Sequence, residues 1–191
     1  MTALASTLRT TQEFLGWRTY LAYSGIAIAS LPIWPFAWHL SLHILGAVLL
    51  IGNALVMAVW LTIAGFSAND DRKRRAARDV NRADVWFTVP GVLLLLANGV
   101  AMATARYGGF PAFLGTDFIA AGLGLLTATA VVWALRLVPA QLRLHALAKA
   151  DGPLDRTAYR SVLNRWYAWG ILATIFPVLA ALVMTIKPQL F

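Results

Sequence analysis

From Tyr20 to Phe66 the chain reads YLAYSGIAIASLPIWPFAWHLSLHILGAVLLIGNALVMAVWLTIAGF, 47 residues without an Asp, Glu, Lys or Arg. Only a bilayer or a very large core accommodates such a run. As one helix it would extend about 70 Å, more than twice the hydrocarbon thickness. It must therefore be divided. Pro32 and Pro35 supply the break, and Trp34 and Trp38 mark a membrane–water interface beside it. The first span is expected from about Ala37 to Phe66. Residues 20–33 are too few for a comfortable crossing. Three placements stay open for them: in the interface, re-entrant, or crossing as a short fifth helix.

The rest of the chain follows the same logic. Of its 191 residues 60% are hydrophobic and 13% charged, against roughly 25% charged in a soluble domain. The mean hydropathy is +0.69. A disordered chain is ruled out, and a soluble catalytic domain does not fit beside four or five spans. Further spans are expected near 85–105, 117–138 and 166–186. Arg136 and Pro139 mark the end of the third, and Lys187-Pro188 the end of the fourth. Segments 67–84 and 140–166 read as basic loops. The expected fold is an all-α integral membrane four-helix bundle over 37–191, with residues 1–36 as an N-terminal extension. Residues 1–18 suit a short helix on the membrane surface. Ala27-Ile28-Ala29 resembles a signal-peptidase site, but no basic residue precedes Arg9, so no cleaved leader is expected.

The net charge is +8 and the pI about 10.6. Nucleic-acid binding is not the expected reason, because the cations are gathered between apolar runs. Arg72, Lys73, Arg74, Arg75, Arg78 and Arg82 lie in the first basic segment. Arg143, Lys149, Arg156, Arg160 and Arg165 lie in the second. Arg9, Arg18, Arg106 and Lys187 fall on the other side. This asymmetry places both basic segments on the cytoplasmic side of the membrane. The chain has no cysteine. Disulfides, thiolate metal sites, iron–sulfur clusters and c-type haem attachment are thereby excluded.

Polar groups inside a span are costly and tend to be functional. Here they are His39, His43 and Asn53 in the first span, Asn98 in the second, and Asp117 at the mouth of the third. His39 and His43, four apart, share a helix face. With Asp117, Met102 and Met184 at the same depth they form a candidate copper set, since imidazole and thioether together suit that metal. Otherwise His39 is an interfacial residue beside Trp38, and His43 hydrogen-bonds within the bundle. Asn53 and Asn98 read as interhelical hydrogen bonds. Gly46, Gly52, Gly91, Gly99, Gly122 and Gly124 read as close-packing positions, and Gly46 as room for a flat ligand beside His43. His145 is expected as a solvated loop or helix-end residue on the cytoplasmic side, too far from His43 to share a haem iron. Hydrolytic chemistry has no support: there is no HExxH and no carboxylate pair within a span.

Leu42-His43-Ile44-Leu45-Gly46-Ala47-Val48-Leu49-Leu50-Ile51-Gly52-Asn53 resembles the opening span of the bacterial integral-membrane family DUF 2269. Phe87-Thr88-Val89-Pro90-Gly91 resembles the head of that family's second span. The family is similar in layout to the CopD-like group, which includes HemJ-type protoporphyrinogen oxidases. The likeness to HemJ rests on Leu42-His43-Ile44, on Pro90 with Gly99, and on Lys187-Pro188. It implies haem b held by His43 alone; Arg106, a cation at the outer surface, is then able to meet a propionate. The chain departs from HemJ at Asp117, where a lysine is expected, and in lacking a basic residue and second histidine later in the first span. Three readings follow: a haem-b-binding redox-linked protein, a copper-handling protein, or a non-catalytic subunit of a membrane complex. The bilayer is the common partner, and the last reading adds membrane-protein partners or a homo-oligomer.

Overall fold

The computed structural model describes residues 16–109 and 112–188, so most of the surface helix expected over 1–18 lies outside the described residues. Among the described residues every regular element is helical. They are α1 (Trp17–Ala29), α2 (Phe36–Phe66), α3 (Asp70–Ala83), α4 (Val89–Tyr107), α5 (Asp117–Val132), α6 (Val138–Lys149) and α7 (Arg156–Ile186). A five-residue π-helical turn, Asp84–Thr88, joins α3 to α4, and another, Trp133–Leu137, joins α5 to α6. Four continuous helices are long and apolar enough to cross a membrane: Phe36–Phe66, Asp70–Tyr107, Asp117–Lys149 and Arg156–Ile186. The protein is an all-α membrane bundle.

The first span thus falls where the sequence placed it, and the fourth ends at Ile186 as expected. The basic segments do not. Residues 70–83 are helix rather than loop, because small apolar residues recur there at helical spacing. Ala76, Ala77, Val80 and Ala83 are buried along one face. Asn69 caps the helix, its side chain accepting from the Asp71 and Arg72 amides. The second basic segment is likewise helical to Lys149, and α7 begins at Arg156, ten residues before the expected start. Its cap is Asp155, which accepts from the Ala158 amide.

Pro139 does not end the third span. A proline lacks an N–H, and its ring clashes with the carbonyl four residues back. Here the helix widens by one residue just before the proline, so that the Val138 amide donates to Trp133 O, five residues back. Pro90 is accommodated in the same way, with the Val89 amide donating to Asp84 O. In that register Pro90 leaves the Val85 carbonyl without its donor. The Tyr23 hydroxyl of α1 supplies one at 2.7 Å. α1 is 13 residues long, about 20 Å. Tyr23 lies beside Val85, and Ser30 beside Asn98, so α1 runs along α4 in the same direction.

Within the membrane α2 packs on α4 and α5 on α7. The two pairs are joined chiefly at the basic end, where α3 packs on α6, and α7 packs on both α6 and α2. The largest buried cluster lies there, around Leu61, Val80, Leu144, Tyr159 and Trp166. Arginines fasten it. Arg74 donates to the carbonyls of Ala148, in the last turn of α6, and of Ala150 and Gly152 beyond it. Arg156 pairs with Asp70 at 2.9 Å and donates to Ala68 O. His145 is buried in this layer at 5% exposure. It is a core residue of the α3–α6–α7 packing, not the solvated one the sequence suggested.

Gly46 and Gly91 form the α2–α4 crossing. A Cβ on Gly46 would lie 2.5 Å from Leu95 N and 2.6 Å from Gly91 O. Gly46 therefore faces the neighbouring backbone, not a ligand slot. Gly52 and Gly124, by contrast, have nothing within 4 Å of such a Cβ, so they are not packing positions within the chain. Gly46→Ala is expected to destabilise the detergent-solubilised protein by about 1–3 kcal/mol, as overpacking does. Gly52→Ala is expected to be neutral or slightly stabilising. Thermal unfolding of both variants in one detergent checks the contrast.

Candidate functional site

Two polar stations lie between the helices. The first is near the start of α2. His39 is 4% exposed, and its Nδ1 is 2.7 Å from Asn98 Oδ1. The Asn98 amide nitrogen donates to Leu94 O and to Ser30 Oγ, which leaves its oxygen to accept from His39. One turn on, His43 Nδ1 lies 2.7 Å from Leu95 O. A carbonyl can only accept, so His43 Nδ1 carries the proton. In a neutral imidazole Nε2 then holds the lone pair. The same holds for His39. Gly99 gives the His43 ring its room: a Cβ there would lie 2.9 Å from ring atoms.

His39 is thus not interfacial as expected beside Trp38. It is buried because Asn98 offers a partner and α1 covers the pair through Ser30. The Trp38 indole instead donates to Ala29 O at 2.8 Å. The interhelical role read for Asn98 holds. The proposed copper set is divided between seams. His39, His43 and Met102 belong to the α2–α4 side, with Met102 one turn beyond Asn98. Asp117 opens α5, and the Met184 side chain rests on Gly122 between α5 and α7. Among the described residues no three His, Cys, Asp or Glu side chains gather as a metal site. Arg106 is exposed in the last turn of α4, seven residues or about 10 Å beyond Gly99.

The second station lies at the two π-helical turns, and the sequence reading missed its centre. The Asp84 carboxyl accepts four donors. The Thr88 hydroxyl (2.7 Å) and the Asn53 amide (3.3 Å) reach Oδ1. The Gln141 amide (2.8 Å) and the Trp133 indole (3.4 Å) reach Oδ2. Asn53 also donates to Thr88 Oγ1 at 2.8 Å. Asp84 thus ties α2, α6 and both proline-adjacent turns together. Asn53 has the interhelical role expected of it. Asp84 and Gln141 were assigned to basic loops, and nothing in loop composition distinguishes them. The signal was the small-residue helical period through 76–83, which carries the helix past Asp84 to Pro90.

Beside this station is a cavity of about 700 Å³ between the two helix pairs. Its walls include Leu50, Leu96, Leu126 and Val178, and Asp84, Thr88, Trp133 and Gln141 line it too.

Four apolar crossings with polar groups buried between them define a polytopic α-helical membrane protein that sits in a lipid bilayer. Over residues 39–188 the chain matches the family described as Predicted integral membrane protein (DUF2269), and it belongs to that family. No curated protein and no solved structure gives a significant match.

Replacing Asp84 by Asn would turn one acceptor into a donor among four donors, and an indole can only donate. Asp84→Asn should cost about 1–3 kcal/mol of stability, the range for stranding a buried polar partner. An unfolding temperature unchanged from wild type would show that the station does not hold the helices together.

Proposed function

We propose that this protein binds haem b through His43 at the outer end of the α2–α4 seam and serves a redox-linked role in a bacterial inner membrane. The observation that carries the reading is the His43 hydrogen bond to Leu95 O. A ring nitrogen pinned to a backbone carbonyl fixes the tautomer and orientation of an imidazole that ligates through its other nitrogen. Gly99 leaves room for the ring against α4. In this reading His43 would ligate the iron, and Arg106 would pair with a propionate near the end of α4. A haem there supplies one-electron chemistry. His39 holds the register of the seam through Asn98.

The reading takes the basic layer of α3 and α6 as cytoplasmic, from the asymmetry of Lys and Arg. His43 then lies toward the outer face. Copper handling has less support, since Asp117 and Met184 stand on the other helix pair. A role as accessory subunit, with membrane-protein partners or as a homo-oligomer, is the reading to adopt if no haem binds.

Absorption spectra of the detergent-purified protein, oxidised and dithionite-reduced, test this. A Soret band and a reduced α-band of b-type haem are expected in wild type, lost in His43→Ala and retained in Gly52→Ala. A featureless spectrum after haem supplementation would overturn the proposal.

A further inference from the structure

We propose that the cavity between the α2–α4 and α5–α7 pairs is a binding site for a neutral lipophile, a molecule with an apolar body and an uncharged oxygen acceptor at its head. At about 700 Å³ the space falls within the range of sites that enclose small ligands. Its walls are almost wholly aliphatic, which selects the body. The head is selected by what the polar lining groups lack.

Most of them lack nothing. The hydroxyls of Thr127, Thr129 and Thr174 donate to carbonyls of their own helices. The Asp84 oxygens already accept two donors each. A cationic or donor head would have to displace these. Among the described residues the lining includes no Lys, Arg or His. An anionic head such as a phosphate therefore meets no counter-charge, in a place where an unpaired charge is most costly. One group stands out. Trp166 lines the cavity at 6% exposure, and its indole N–H has no hydrogen-bond partner among the described residues. An indole only donates. The nitrogen itself is buried in the wall, so with a small shift of the ring toward the cavity an acceptor without charge would complete the site: an ester, ketone or similar carbonyl oxygen.

His39 and His43 do not line this cavity, so the inference is independent of haem binding. The test is photo-labelling of the full chain in nanodiscs. The probe is a monoacylglycerol with a diazirine in its acyl chain. The comparison probe is phosphatidylglycerol with the same labelled chain. Labelling by the neutral probe is expected to concentrate on α5 and α7 peptides around Leu126 and Val178. It should be competed by unlabelled monoacylglycerol and fall about fivefold in Trp166→Phe, the size expected for one hydrogen bond.

Gly170→Leu is the second variant. Gly170 lines the cavity, and a Cβ there meets only Leu137 Cδ2, at 3.8 Å. The leucine should fill the space without disturbing the fold and abolish cavity labelling, which keeps the test decisive if Trp166→Phe does not fold. Equal or stronger cavity labelling by phosphatidylglycerol would overturn the proposal. So would labelling unchanged in the variants that fold, or spread evenly onto exposed α2 residues such as Ile44 and Val48. A protein segment found occupying the cleft would overturn it as well.

Discussion

A proline inside a membrane helix leaves one carbonyl without its amide donor, and hydrocarbon offers no water to replace it. This constraint organises the middle of the molecule. Both long central helices carry a proline, Pro90 and Pro139, and both widen by one residue immediately before it. Widening moves the ring away from the preceding turn and turns the backbone so that different side chains face inward. Asp84 lies in one widened turn and Trp133 in the other, and the Asp84–Trp133 contact joins them. The Tyr23 hydroxyl satisfies the Val85 carbonyl. α1, which reads as too short to stand alone, is held in place by what a proline left open.

The same knot separates two mechanical regimes. On its basic side, α3, α6 and the start of α7 pack into a closed core fastened by arginine hydrogen bonds to helix-end carbonyls. The arginines of the basic segments thus also satisfy the backbone. On its other side the bundle is two pairs of helices with a cavity between them. Lipid offers no hydrophobic force to close such a gap, because tails are as apolar as the side chains facing them. What closes a seam there is small residues or polar contacts. The α2–α4 seam has Gly46, Gly91 and both histidines. The cavity has large aliphatic walls and stays open.

The spans were legible because an uncharged run of 47 residues admits few solutions. Their ends at the basic layer were not. Arg72, Arg74, Arg75 and Arg78 dominate the composition of 67–84, and a helix whose buried face is Ala76, Ala77, Val80 and Ala83 reads as a loop when judged by charge. With its length went Asp84 and Gln141, which join across 57 positions of sequence. Pro139 misled for a related reason: a π-helical turn is a response of the fold, and the dipeptide Val138-Pro139 does not announce it. The histidine station was more legible. The spacing of His39 and His43 does put them on one face, but their partners Asn98 and Leu95 O lie more than 50 positions away. Only the packed seam shows that each ring keeps Nε2 as its lone-pair nitrogen.

The two stations share a ruler. His43 and Asn53 are ten residues apart on α2, about 15 Å, and both contact the helix that runs from Asp84 to Tyr107. Between them lies the Gly46–Gly91 crossing, where backbones approach so closely that neither helix can slide without collision. The histidine station and the Asp84 station are therefore held at fixed separation along one rigid seam. The cavity is bounded by that seam on one side and by α5 and α7 on the other. α7 also packs on α2 at the basic layer, where Leu163 meets Gly65, so both walls are anchored at that end. His39 and His43 do not line the cleft, and the glycine crossing that fixes their distance from Asp84 is made chiefly by backbone atoms, not by the side chains that wall the space beside Trp166.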